Sequence, residues 1–149
     1  MEGGYKEFMD PVSTAAAEGT TAARLVASGD FHTADTFVLM RELMSKRIMM
    51  IDGAMGTMVQ GYRLEEEDFR GEMFKSHTHD LKGDNDVLVL TRPDVVEEIH
   101  LAYLRGGADI IETNTFNGPS ISQLDYELEA DEHVYAINKA AADVARRAV

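Results

Sequence analysis

Cysteine is absent from the 149 residues. That excludes a disulfide framework and a thiol nucleophile, and the chain cannot build a Cys-based zinc site from its own residues. Basic residues are scarce: 14 Lys and Arg stand against 27 Asp and Glu, a formal net charge of -13. The excess repels phosphate backbones and anionic lipid, so neither nucleic acid nor a membrane surface is an expected partner. Long apolar runs are missing, since no stretch approaches the roughly 18 to 20 residues that span a bilayer. The opening "MEGGYKEFMDP" lacks a basic segment followed by an apolar one, and its acids do not suit a transit peptide. The expected location is cytoplasmic.

What is present reads as globular, with 44% hydrophobic and 28% charged residues, and the length suits one domain. Residues 1–46 form an expected leader. Its Ala-, Ser-, Thr- and Gly-rich part is read as partly disordered, with at most a frayed helix between Ala15 and Ala27. A helix is expected near 36–46, capped by Asp35 or Thr36. Phe37, Met40, Leu43 and Met44 repeat at helical spacing as a packing stripe, and Lys46 and Arg47 suit the C-terminal end of the dipole.

From residue 47 the pattern alternates. Ile48–Ile51 is a short apolar run, expected as a strand buried on both faces. A polar, glycine-punctuated excursion follows, and then "DVLVL", Asp86–Leu90, expected to be extended. Thr91 and Asp94 have capping-box spacing around Pro93, and Val95, Val96, Ile99, Ala102 and Tyr103 form one apolar helical face that Gly106 and Gly107 end. "ADIIET" reads as a second buried strand. Together these give the grammar of a parallel sheet with a site at the strand C-terminal ends. Helical segments are expected from Ser120 and from about Asp131, the latter with Val134, Ile137, Ala141, Val144 and Ala145 on one face. The nine methionines suggest adaptable packing.

Two places could carry chemistry. Asp52 enters the turn Gly53, Ala54, Met55, Gly56, Thr57, which lacks the lysine and the spacing of a phosphate loop. A zwitterion fits better, with Asp52 taking an ammonium and backbone N–H groups taking a carboxylate. The pattern equally allows Asp52 merely to cap the next helical turn. Glu112, Thr113, Asn114 and Thr115 end the second expected strand, where side chains would point into a site or simply cap it. "HTHD", His77 to Asp80, reads as a solvated loop before it reads as a metal site. "EEED", Glu65 to Asp68, reads as a solvated face or a helix start. His100 reads as packing or interfacial, and His32 and His133 have no partner pattern.

"IDGAMGTMVQGYRLEEEDFRGE", "LKGDNDVLVLTRPDVVEEIHLAYLRGGADIIETNTFNG" and "SISQLDYELE" together closely resemble the start of the homocysteine-binding domain of the cobalamin-dependent methionine synthases. The likeness runs from about Arg47 to the end, in one order and register. It implies a (β/α)8 TIM barrel with homocysteine at the strand C-terminal ends. It also implies a zinc ion held by three cysteines that makes the thiolate, and methylcobalamin as methyl donor, recharged by 5-methyltetrahydrofolate on another domain. By the same likeness Asp52 contacts the substrate amino group and Gly53, Ala54, Gly56 and Thr57 lie at its carboxylate. Glu112, Thr113 and Asn114 end the second barrel strand near substrate and metal. The family's usual "KGNND" is "KGDND" here, with Asp84 in place of Asn.

The family is one of methyltransferases acting in methionine biosynthesis, but its zinc cysteines have no counterpart in this chain. A complete barrel takes about 250 residues. The resulting expectation is an α/β fold: a truncated barrel over residues 47–149, containing the first two strands and their helices and marginally stable alone. Neither zinc nor methylcobalamin is expected to bind this chain alone. The remaining barrel half and the folate and cobalamin domains are the expected partners. A cobalamin-independent homocysteine S-methyltransferase, similar in its barrel and "DGAMGT" turn, is the alternative, as is a non-catalytic remnant.

Overall fold

The computed structural model describes residues 33–149. The leader's expected helix at Ala15–Ala27, and His32, lie outside the described residues. Two compact units are distinguished: one runs up to Ile51 and takes in Leu104–Ile110, and the other comprises Asp52–Tyr103 and Ile111–Val149.

In the first unit, helix α1 spans Thr33–Met44, so Asp35 and Thr36 lie inside its first turn instead of capping it. Its apolar stripe is only half covered: Met40 and Leu43 are partly buried, while Phe37 is 62% and Met44 63% exposed. The helix closes with Ser45, Lys46 and Arg47 N–H groups on the carbonyls of Arg41 and Leu43. Arg47 then makes a two-pronged ion pair with Asp109, its Nη1 lying 2.6 Å from Oδ2 and its Nη2 contacting Oδ1. The Met50 N–H donates to Asp109 Oδ2 at 2.9 Å, and the Asp109 N–H donates to Met50 O at 2.7 Å.

The expected truncated (β/α)8 barrel with two parallel strands is not what this chain forms. Among the described residues there is no strand; one isolated parallel bridge joins Ile51 to Ile110. A parallel strand buried on both faces needs a ladder on its edges and helices over its faces. The run Ile48–Ile51 has one short partner, and Ile48 is 84%, Met50 57% and Ile51 55% exposed.

The second unit is helical and holds the core. Helices α2 (Met55–Gly61), α3 (Glu66–Arg70), α4 (Leu88–Thr91), α5 (Pro93–Arg105) and α6 (Ser120–Gln123) precede a 3₁₀ turn at Leu124–Tyr126 and helix α7 (Asp131–Ala148). None of the described helices is long and apolar enough to cross a membrane. "DVLVL", expected to be extended, coils into α4. Val87, Leu88 and Val89 are at most 2% exposed. Burial of each is worth about 1.5–3 kcal/mol, which outweighs a β-propensity spread of about 1 kcal/mol. Helix α4 ends at Arg92 (φ −135, ψ 55), because a residue before proline is driven out of the helical region. α5 begins at that proline.

The expected box between Thr91 and Asp94 gives way to an Arg92–Asp94 pair, with Nε to Oδ1 at 3.0 Å and Nη2 to Oδ2 at 2.9 Å. Arg92 Nη1 also holds Asp68 at 2.7 Å. A capping box does form two helices earlier, between Glu65 and Asp68 at the start of α3. "EEED" is thus a helix start, and Glu66 in it is no solvated charge. Its carboxylate accepts the Leu81 and Lys82 N–H groups at 2.6–3.1 Å and pairs with Arg70 Nε at 2.6 Å.

Helix α7 buries Ile137, Ala141, Val144 and Ala148 and packs on α4 and α6. Arg147 Nε bonds Glu97 Oε2 on α5 at 3.0 Å. On α5 the buried face is Val95, Val96, Ile99 and His100, while Ala102 is exposed.

Candidate functional site

Within the second unit, the turn after Asp52 and the segment from Glu112 form facing walls of a cavity of about 540 Å³. Asp52, Gly53, Ala54, Met55 and Gly56 line one wall; Glu112, Thr113, Asn114, Thr115 and Phe116 line the other. Seven of the eight residues singled out from sequence meet here. Thr57 sits in α2, outside the lining.

The sequence left open whether Asp52 caps a helix or serves a site. Helix α2 starts from Ala54 with no side-chain cap, so capping is not its role. Instead Asp52 Oδ2 accepts the Glu112 N–H at 3.1 Å, tying the two walls together. Asp52 Oδ1 is buried without a partner. The exposed side of the carboxylate is therefore Oδ2, which has lone pairs to spare.

His100 lies fully buried with both ring nitrogens unpartnered. Burial pushes its pKa down, and the Asp52 charge partly opposes this. One turn further along α5, Tyr103 brings its hydroxyl 3.7 Å from the position a Cβ would take on Gly53. The turn thus rests on α5.

On the opposite wall, Asn114 is buried and donates its Nδ2 to Asn85 O at 2.7 Å. Thr113 and Thr115 hydroxyls contact at 2.8 Å on the exposed side. Phe116 is 95% exposed at the rim.

The lining has two carboxylates, Asp52 and Glu112, and neither Lys nor Arg. Such a wall favours an ammonium group and disfavours a thiolate, because nearby negative charge raises a thiol's pKa. A zinc ion held by three cysteines does not fit the residues present. The sequence has no cysteine, and among the described residues no group of three His, Cys, Asp or Glu could hold a metal.

"HTHD" is a tethered loop. His77 Nε2 contacts Tyr126 O at 2.9 Å, Thr78 Oγ1 donates to Glu127 Oε2 at 3.2 Å, and Arg70 holds His79 O at 2.9 Å. His133 packs edge-on against Phe74, with ring centroids 5.7 Å apart.

Sequence reasoning missed Asp84 and Asp86, buried carboxylates behind the cavity wall. Their signal was the acidic "GDND" immediately before an apolar run. They are solvated if the run is a strand preceded by a loop, and buried if it coils into a core helix.

A family model described as homocysteine S-methyltransferase matches residues 49–149, the greater part of the chain and all of the cavity. The chain belongs to the homocysteine S-methyltransferase family.

Proposed function

We propose that the cavity binds the amino-acid end of homocysteine. Asp52 Oδ2 receives the ammonium. Gly53, Ala54 and Gly56 offer backbone N–H groups to the carboxylate, and Glu112, Thr113 and Asn114 bound the opposite side. The observation that carries this is the cross-wall bond from the Glu112 N–H to Asp52, which leaves a carboxylate fixed at the cavity instead of capping α2. The size supports it too: about 540 Å³ exceeds what one small amino acid fills, leaving room for a second reactant at the sulfur.

In the reaction proposed for the family reading, the homocysteine sulfur attacks a donor methyl carbon, a new S–C bond forms as the donor–methyl bond breaks, and the thiol proton is lost. Methylcobalamin as that donor rests on the "KGDND" and "ETNTFN" segments, which resemble the cobalamin-dependent type. A second reading is that this chain binds homocysteine without turning it over, because the cysteines that the resemblance implies for the activating zinc are absent from its sequence.

Calorimetric titration tests the binding. Homocysteine should bind at least about tenfold tighter than its analogue lacking the amino group, the value of one charge-assisted contact. Equal affinities would sink the assignment of Asp52. Methionine formation from homocysteine and methylcobalamin by this chain would overturn the second reading.

A further inference from the structure

The Glu112–Phe116 wall is held from behind by three consecutive residues that do not line the cavity. Asn85 O accepts Asn114 Nδ2 at 2.7 Å. Asp86 Oδ2 accepts the Asn117 N–H at 2.9 Å, and the neighbouring Phe116 amide also favours the charged form of this carboxylate. Asp84 Oδ1 accepts the Asp86 N–H and Gln123 Nε2, each at 3.2 Å, and Gln123 Nε2 reaches back to Asn117 O at 3.0 Å. The same segment touches the opposite wall, where Asn85 Nδ2 lies 3.5 Å from where a Cβ on Gly56 would stand.

This tether is built on charge removed from water. Asp84, Asp86 and Gln123 are at most 1% exposed, and each keeps one buried oxygen without a partner: Asp84 Oδ2, Asp86 Oδ1 and Gln123 Oε1. The titratable groups that face Asp86 are Asp84 on its own segment and Tyr126 on the 3₁₀ turn, whose hydroxyl is itself made less acidic by burial and by both aspartates. The 116–117 segment meets Asp86 with amides. Burial, reinforced by Asp84, pushes the Asp86 carboxyl up to about 6 against the pull of the two amides.

We propose that Asp86 is a positioning residue of the cavity: its ionised carboxylate holds the Asn117 amide, beside that of Phe116, and so sets the 112–116 wall opposite Asp52. An ionised acceptor binds an N–H about twice as strongly as a neutral one, so protonating Asp86 loosens the wall without unfolding the core.

The ligand half of the test rests on the homocysteine reading of the cavity; the spectroscopic half does not. The full chain is titrated between about pH 4.5 and 8 while backbone amide resonances are followed by NMR. The Phe116 and Asn117 amides should shift together with a midpoint near 6, while Ile99 and Val144 stay still. Asp86→Asn should abolish that titration. Homocysteine affinity should weaken about fivefold from pH 7.5 to pH 5 in the parent and stay flat in the variant.

A flat profile at Phe116 and Asn117 in the parent chain overturns the proposal, and that measurement needs no variant to fold. Persistence of the titration in a folded Asp86→Asn chain overturns it equally. Amides that titrate as expected while homocysteine binds at no pH would support the role of Asp86 and refute the ligand reading alone.

Discussion

The Glu112 N–H donates to Asp52 Oδ2 at 3.1 Å across 60 residues of chain. A side chain thereby makes the link that a backbone ladder would make in a continued parallel pair. It also fixes the carboxylate proposed to bind the substrate ammonium. Asp52→Asn keeps an acceptor for Glu112 but removes the charge. Homocysteine affinity should fall about 10- to 100-fold, corresponding to about 1.5–3 kcal/mol, with an unchanged far-ultraviolet circular dichroism spectrum. Calorimetry on the two chains checks this; a change under twofold would count against it.

Asp86 makes stability depend on pH with the sign opposite to the usual aspartate. Its carboxyl is raised from 3.8 to about 6 by folding, so between those values the folded chain holds a proton that the unfolded chain releases. Its stabilising contribution is complete below about pH 4 and is lost as pH rises through 6. Asp86→Asn should therefore gain on the parent as pH rises, by on the order of 2–3 kcal/mol at pH 7.5. Urea unfolding at pH 4.5 and 7.5 measures the gap. A gap that narrows with rising pH would contradict the account.

Two glycines should respond oppositely to alanine. Gly71 has φ +51, and a Cβ there would stand 3.1 Å from Thr91 Cβ, so Gly71→Ala should cost about 1–3 kcal/mol. A Cβ on Gly61 meets nothing within 4 Å. Gly61→Ala in α2 should be neutral or stabilise by up to about 1 kcal/mol. Thermal unfolding of both variants decides.

In the first unit, the Arg47 guanidinium holds the Asp109 carboxyl below its ordinary range by direct hydrogen bonding. That contribution is present above the unfolded value of 3.8 and is lost as pH falls through the depressed one. Arg47→Ala should speed hydrogen exchange at the Asp109 and Ile110 amides, which bond Met50 O. Unchanged exchange would show that the pair does not hold this contact.

The helices with a clear apolar face were legible. α5 and α7 bury most of their expected faces; on α5 Ala102 is exposed instead, and His100, read as packing or interfacial, is buried. "DVLVL" misled because a short apolar run has the same composition in a strand and in a buried helical turn; contact with α7 decides between them. Ile48–Ile51 was misread for a different reason. Its composition suits a buried strand, but burial depends on partners that a local pattern does not contain. The Asp52 turn and the Glu112 segment each stand out as short local patterns, and the fold brings both to one cavity. The Asp86 tether spans 31 residues and appears only once the chain is folded.

The most direct test of the homocysteine site is a map of backbone amide shifts as homocysteine is added to the full chain. The account predicts saturable shifts confined to residues 52–57 and 112–116, absent with the analogue lacking the amino group. Shifts elsewhere, or the same shifts with that analogue, would contradict it.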